Sequence, residues 1–316
     1  MRVVIIGGTG HVGTYLVPRL VQLGHTVVCI SRQSREPYTP SAAWRWVERV
    51  NIDREAEERA GAFGGRIAGL RPDVVIDMIC FTPESAKHLV DALRGRVQQL
   101  LHCGTIWVYG PSSQVPATEE QPRRPFGEYG IQKAAIEALL LDEARRRSFP
   151  VSILHPGHIV GKGWVPLNPQ GNFNPAVFQT ISHGRELSLP NLGLETVHHV
   201  HADDVAQAFV RALSSWQQAS GECFHVVSSA ALTLRGYAES MYHHFGQEPR
   251  LSFVSWNEWR ETVEAKDAEA TWDHIAHSPN ASIEKARRLL GYEPRYSSLE
   301  AVQEAVDWLF ASRQLA

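Results

Sequence analysis

The chain has 316 residues, 43% of them hydrophobic, enough to bury one large core or a main core with a smaller lobe. Its 31 Lys and Arg against 34 Asp and Glu give a formal charge of −3, which argues against a general binder of nucleic acid or anionic membranes, since both need a basic face. No apolar run approaches a membrane span, and the first strand begins too early for a signal peptide, so a cytoplasmic protein is expected.

The run Val3-Val4-Ile5-Ile6 is short, apolar and β-branched, which predicts a strand buried on both faces. It leads into Gly7-Gly8-Thr9-Gly10-His11-Val12-Gly13, with glycines at i, i+3 and i+6 before a helical pattern over Tyr15 to Leu23 that Gly24 stops. Such a turn lets backbone N–H groups at a helix N-terminus approach a pyrophosphate, although a glycine turn between strand and helix can also be purely structural. His25 to Ile30 reads as the second strand. The residue at its end meets the adenosine ribose in dinucleotide folds, and here the chain continues Ser31-Arg32-Gln33-Ser34-Arg35 with no acid before Glu36. That tilts the cofactor to NADP, with NAD retained as possible and a merely solvated Arg32 as the alternative.

Trp44 to Ile52 is expected as a third strand ending in Asp53-Arg54, both candidate cofactor contacts, where Asp53 either meets the adenine or caps the next helix. Val74 to Ile79 predicts a fourth buried strand whose end brings Met78 to the cofactor, and Pro83 to Leu93 the next helix. Gln99 to Cys103 follows as the fifth strand. The βα alternation implies an α/β Rossmann fold, a doubly wound parallel sheet of about seven strands. The four cysteines, Cys29, Cys80, Cys103 and Cys223, lie in apolar runs without CxxC spacing, as buried reduced thiols do.

The fifth strand runs into Gly104-Thr105-Ile106-Trp107-Val108-Tyr109-Gly110, and Tyr129-Gly130-Ile131-Gln132-Lys133 opens a later amphipathic helix. Tyr129 and Lys133, at i and i+4, share one face. An ammonium beside a phenol favours the phenolate and lowers its pKa. Thr105, at the carboxyl end of a parallel strand, is placed to hydrogen-bond the substrate oxygen whose proton Tyr129 moves. These three residues predict hydride transfer at a secondary alcohol or its ketone.

With these motifs the chain resembles the extended short-chain dehydrogenase/reductase family, the NAD(P)-dependent epimerase/dehydratases. Further matches are His155-Pro156-Gly157-His158-Ile159-Val160-Gly161, His201-Ala202-Asp203-Asp204-Val205-Ala206, and Arg288-Leu289-Leu290-Gly291-Tyr292-Glu293-Pro294. The resemblance implies a cofactor domain over 1–160 and 198–228, with Pro156 and His158 beside the cofactor, and a substrate lobe over 161–197 and 229–316. It also implies a homodimer pairing through the helix that carries Lys133. Where dehydratase members carry an Asp-Glu pair after the catalytic residue this chain has Ile106-Trp107, which disfavours a 4,6-dehydratase. Val197 stands where nucleotide-sugar members place an arginine for the diphosphate, so a diphosphate lacks its usual partner.

On the substrate side, Trp107, His158, Lys162, Asn172 and His198 are the candidate contacts, in a loop rich in Asn and aromatic residues that suits a polyhydroxylated ligand. The alternative is that the histidines and asparagines bond one another. No metal site is expected, since no fixed ligand spacing occurs. Trp256, Trp259 and Trp272 are expected in the small lobe's core. The reading is an NAD(P)-dependent oxidoreductase or epimerase acting on a sugar-like small molecule. The alternatives are an NADP-dependent reductase of a non-nucleotide ketone and a non-catalytic nucleotide sensor or RNA-associated relative.

Overall fold

A computed structural model describes residues 1–32 and 36–315. Strand β1 (Arg2–Ile6) passes through the glycine turn into helix α1 (His11–Gln22), then β2 (Thr26–Ser31). Next come β3 (Glu48–Asn51), α2 (Arg54–Arg59), α3 (Phe63–Gly69), β4 (Val74–Asp77), α4 (Pro83–Leu93) and β5 (Gln99–Cys103). The long helix α5 (Gly127–Arg147) and β6 (Val151–Pro156) follow, and Cys223–Val226 supplies the seventh strand.

All seven strands pair in parallel, in the order seventh strand, β6, β5, β4, β1, β2, β3. Because β1 is followed on one side by β2 and on the other by β4, the order reverses between β1 and β4. The glycine turn therefore opens beside the end of β4, where such sheets bind ligands. Both faces are covered, one core cluster containing Val3, Leu16, Leu101 and Phe209, the other Val4, Phe63, Leu89 and Ile136. This double burial is why the strands read as continuous apolar runs.

A third cluster, with Phe178, Leu189, Tyr237, Tyr242, Val302 and Val306, forms the smaller lobe. The lobes interleave more than the expected boundaries: Ala281, Ile283, Ala286, Leu290 and Tyr292, inside the stretch 229–316 assigned to the substrate lobe, pack with the sheet's core. Two local expectations also change. The expected third strand over Trp44 to Ile52 begins instead as a 3-10 turn, Ala42–Trp46, whose cap Ser41 accepts from the Ala43 N–H, and only Glu48–Asn51 pairs as an edge strand. Trp259 is buried in the small lobe, whereas Trp272 stacks loosely on Trp256 and is 49% exposed. Among the described residues no helix is long and apolar enough to cross a membrane.

Candidate active site

The three motif glycines do different work. Gly7 has φ of 86°, and a Cβ there would meet Ile79 Cγ2 at 2.8 Å; a Cβ on Gly13 would lie 1.9 Å from the Gly8 carbonyl oxygen. The fold itself demands both. A Cβ on Gly10 would touch nothing closer than the Gly7 oxygen at 3.4 Å, an ordinary contact. Yet Gly10 occupies the exposed N-cap of α1, with no side-chain cap and no acid in the first turn. The first helical bond runs from the Thr14 N–H to the Gly10 oxygen, 3.0 Å, so the N–H groups of His11, Val12 and Gly13, beside Thr9, have no acceptor within the helix. An open, donor-rich cradle at a helix N-terminus fits a dinucleotide's pyrophosphate.

Around the cradle, Met78 donates its N–H to the Ile6 oxygen, and its Cβ lies 3.4 Å from a Cβ built on Gly7, at the switch point. Ser31 ends β2 and Arg32 is exposed just beyond it; Gln33, Ser34 and Arg35 lie outside the described residues. Asp53 caps α2 by accepting from the Ala56 N–H at 3.1 Å, the capping alternative. Arg54, expected at the cofactor, is instead a buried strut: it donates to Asp77 at 2.8 Å and Glu58 at 2.7 Å and covers the Phe63 ring. A guanidinium so enclosed is held by carboxylates that repay its desolvation. Pro156 is buried at the end of β6 against Val226. The His11 ring stacks on Trp164 at 5.0 Å, and burial lowers its pKa to about 4.

Thr105, Tyr129 and Lys133 come together. Thr105 caps a short 3-10 turn, Ile106–Tyr109, its hydroxyl accepting from the Trp107 N–H at 3.2 Å. The Thr105 hydroxyl lies near enough to the Tyr129 phenol to act on its titration, although Tyr129 as a whole is 43% exposed. Lys133, on the next turn of α5, puts its Nζ 5.9 Å from the Tyr129 ring centroid and donates to the carbonyls of Cys80 at 2.8 Å and Cys103 at 2.9 Å. Burial pushes the phenol up to about 12, with Cys103 adding to it and the neighbouring Thr105 hydroxyl opposing; burial likewise lowers the Lys133 ammonium. Burial outweighs the lowering expected from the i+4 ammonium. Tyr129 is a protonated acid at neutral pH.

The substrate side is reordered. Trp107 lies edge-on to Tyr129, with centroids 5.9 Å apart, and to His158 at 6.0 Å, so Trp107 stands between the two. His158 is neutral, its pKa far lowered by burial and by the neighbouring histidines, and its Nε2 is buried without a partner. Lys162 is exposed and its N–H donates to Glu304. Asn172 and His198 do not line the site. Asn172 donates to Thr271 at 3.1 Å and accepts from Asn168 at 2.6 Å, both inside the lobe. His198 accepts from the Ala281 N–H through Nδ1 at 3.1 Å and pairs Nε2 with the Ser228 carbonyl at 3.0 Å, leaving no free nitrogen. Sequence reading missed His274 and His277 of the helix Ala265–His277, which approach Trp107 at 5.2 and 4.1 Å.

Elsewhere, Asp77, Cys80 and His102 form a buried group whose possible ligand atoms lie within 4.8 Å of one another. Arg54 already binds Asp77, and the charges of Lys133 and Arg54 both act on His102, so a divalent ion would meet two cations. A charged cleft of about 530 Å³ farther along α5, lined by Glu137, Arg123, Glu222 and Lys285, pairs its own charges and lies apart from Thr105 and Tyr129.

A parallel sheet with a donor-rich cradle at its switch point and a Thr-Tyr-Lys group beyond it defines a dinucleotide-dependent enzyme. Residues 3–226 match the model of the NAD dependent epimerase/dehydratase family, and the chain belongs to that family. It is 26% identical over 278 residues to a 2'-dehydrokanamycin reductase of Streptomyces kanamyceticus, covering 87% of this chain and 76% of that protein. It is 24% identical over 324 residues to the chloroplast stem-loop binding protein of 41 kDa b of Arabidopsis thaliana, covering 96% and 78%. The structure of a UDP-glucose 4-epimerase from Thermotoga maritima, with UDP-glucose, superposes with a TM-score of 0.74 at 20% identity over 99% of this chain and 100% of that one, which shows the shared fold.

Proposed function

We propose that the protein is an NADP-dependent oxidoreductase or epimerase acting at a secondary alcohol or ketone carbon of a sugar or sugar derivative. The observation that carries this is the grouping of Thr105, just past the end of β5, with the Tyr129 phenol and the buried Lys133, whose Nζ is 5.9 Å from the Tyr129 ring centroid. Thr9 to Gly13 would hold the pyrophosphate, Arg32 the 2'-phosphate, and bound NADP(H) supplies or takes the hydride. Thr105 holds the substrate oxygen while Tyr129 gives it a proton in reduction, or receives one in oxidation. The protonated phenol suits the reductive direction. Lys133 braces the ends of the strands beneath Tyr129 and is the group within reach to stabilise a phenolate.

Trp107 and the neutral His158 and His274 favour a hydroxyl-rich sugar ring over a nucleoside diphosphate. The relative named as a reductase of a kanamycin ketone supports that choice. By the same reading the enzyme pairs as a homodimer through α5 and works in the cytoplasm, where its four buried free cysteines stay reduced. The test is NADPH oxidation with 2'-dehydrokanamycin and other sugar ketones, beside UDP-glucose and UDP-galactose. Tyr129→Phe is expected to lose nearly all turnover while binding NADPH as before, and full turnover by that variant would overturn the assignment. The stem-loop-binding relative makes RNA binding the second reading. Salt-sensitive RNA binding by a protein inert to every sugar would favour it.

A further inference from the structure

His277 ends the small-lobe helix Ala265–His277 and is 2% exposed. Its ring is sandwiched between Trp107, at 4.1 Å and 16°, and Phe126, at 3.9 Å and 23°. Trp107 is the residue whose N–H fixes the Thr105 hydroxyl. Phe126 is the N-cap residue of α5, three positions before Tyr129. Tyr129 in turn meets Trp107 edge-on. The contacts run from Thr105 through Trp107 and His277 to Phe126, and α5 leads from Phe126 back to Tyr129, a ring in which His277 alone comes from the small lobe. The α5 backbone also presses on this ring, since a Cβ at Gly130 would lie 3.3 Å from the Trp107 oxygen.

We propose that His277 is a positioning residue: by wedging Trp107 against Phe126 it sets the separation of Thr105 and Tyr129, and so links the small lobe to proton transfer. The proposal rests on the reading of Thr105 and Tyr129 given above. The imidazole has a second task that separates cleanly from the first. Nδ1 pairs with the Asp273 carbonyl at 2.6 Å, one turn back along the same helix. A carbonyl only accepts, so Nδ1 carries the proton, and burial keeps the ring neutral. The flat ring maintains the stack, whereas the Nδ1–H secures the helix end.

His277→Phe keeps the stack and loses the bond; His277→Ala loses both. The assay is turnover of the sugar ketone found in the panel above, at saturating NADPH, with NADPH affinity, melting temperature and amide hydrogen exchange over 105–109 measured on the same preparations. His277→Ala is expected to lower kcat about 10- to 100-fold, the scale of a small misplacement of catalytic groups, with KM and NADPH affinity nearly unchanged and faster exchange over 105–109. His277→Phe is expected to melt lower than the wild type yet keep its kcat. If His277→Ala does not fold, Phe126→Ala opens the stack from its other face and is expected to give the same fall in kcat. Wild-type kcat in the folded alanine variant, or a His277→Phe enzyme as slow as His277→Ala, overturns the proposal. Tyr129→Phe in the same assay isolates the underlying reading: if it stays active that reading fails, and if it is inactive the His277 variants judge this inference alone.

Discussion

Replacing each motif glycine by alanine separates what the fold needs from what the ligand needs. At Gly13 the new methyl would sit 1.9 Å from the Gly8 oxygen and 2.4 Å from its carbon, both backbone atoms, so α1 must move away from β1. A clash of that kind costs about 1–3 kcal/mol or more. At Gly10 the nearest atom is 3.4 Å away and φ is −77°, a value alanine adopts freely. Gly10→Ala is therefore expected to be neutral, or to stabilise by about 0.4–1 kcal/mol through the unfolded chain. That corresponds to a shift of a few degrees in Tm. The same methyl would stand on the residue that opens the cradle, where phosphate oxygens would approach the N–H groups of His11, Val12 and Gly13. Losing one charge-assisted hydrogen bond at about 1.5–3 kcal/mol weakens NADP binding by about 10- to 150-fold. Thermal melts and NADPH fluorescence titrations of the two variants measure both quantities. A Gly10→Ala protein that melts normally and binds NADPH with undiminished affinity would refute the placement of the cofactor.

Arg32→Ala is expected to weaken NADP about tenfold and leave NAD unchanged, because only the 2'-phosphate distinguishes them at that position; equal losses for both would show that Arg32 does not read the phosphate. Acid should unfold the protein well above the carboxylate range. Burial lowers His11, His198 and His274 to about 4 and His199 to about 3. Below pH 6.5 the unfolded chain binds protons that the native one refuses, so stability is complete above that pH and falls towards pH 4. At pH 5 each of these histidines costs about 2 kcal/mol, and together they rival the whole stability of a typical domain. A Tm at pH 5 equal to that at pH 7.5 would contradict this.

The cofactor half of the protein was legible because its signals are local. A β-branched run, glycines at fixed spacing and a helix stop depend on neighbours a few residues away, so β1, α1, β5 and the Tyr129–Lys133 face of α5 could be read directly. What a polar side chain points at is a different matter. Arg54 reads as a cofactor arginine until Asp77, 23 positions on, claims it. His198 and Asn172 read as ligand groups until Ala281 and Thr271, 83 and 99 positions away, use up their nitrogens. The helix Ala265–His277 was missed because Trp272 and Ile275 are its only large apolar residues and its end is made by Ser278 at φ 41° rather than by glycine. Sequence alone determined the sheet, the glycine turn and the candidate trio of Thr105, Tyr129 and Lys133. The tertiary structure decided which polar groups are consumed in the interior and which small-lobe rings enclose Trp107, because a hydrogen bond or a stack between distant segments exists only after the chain has closed on itself.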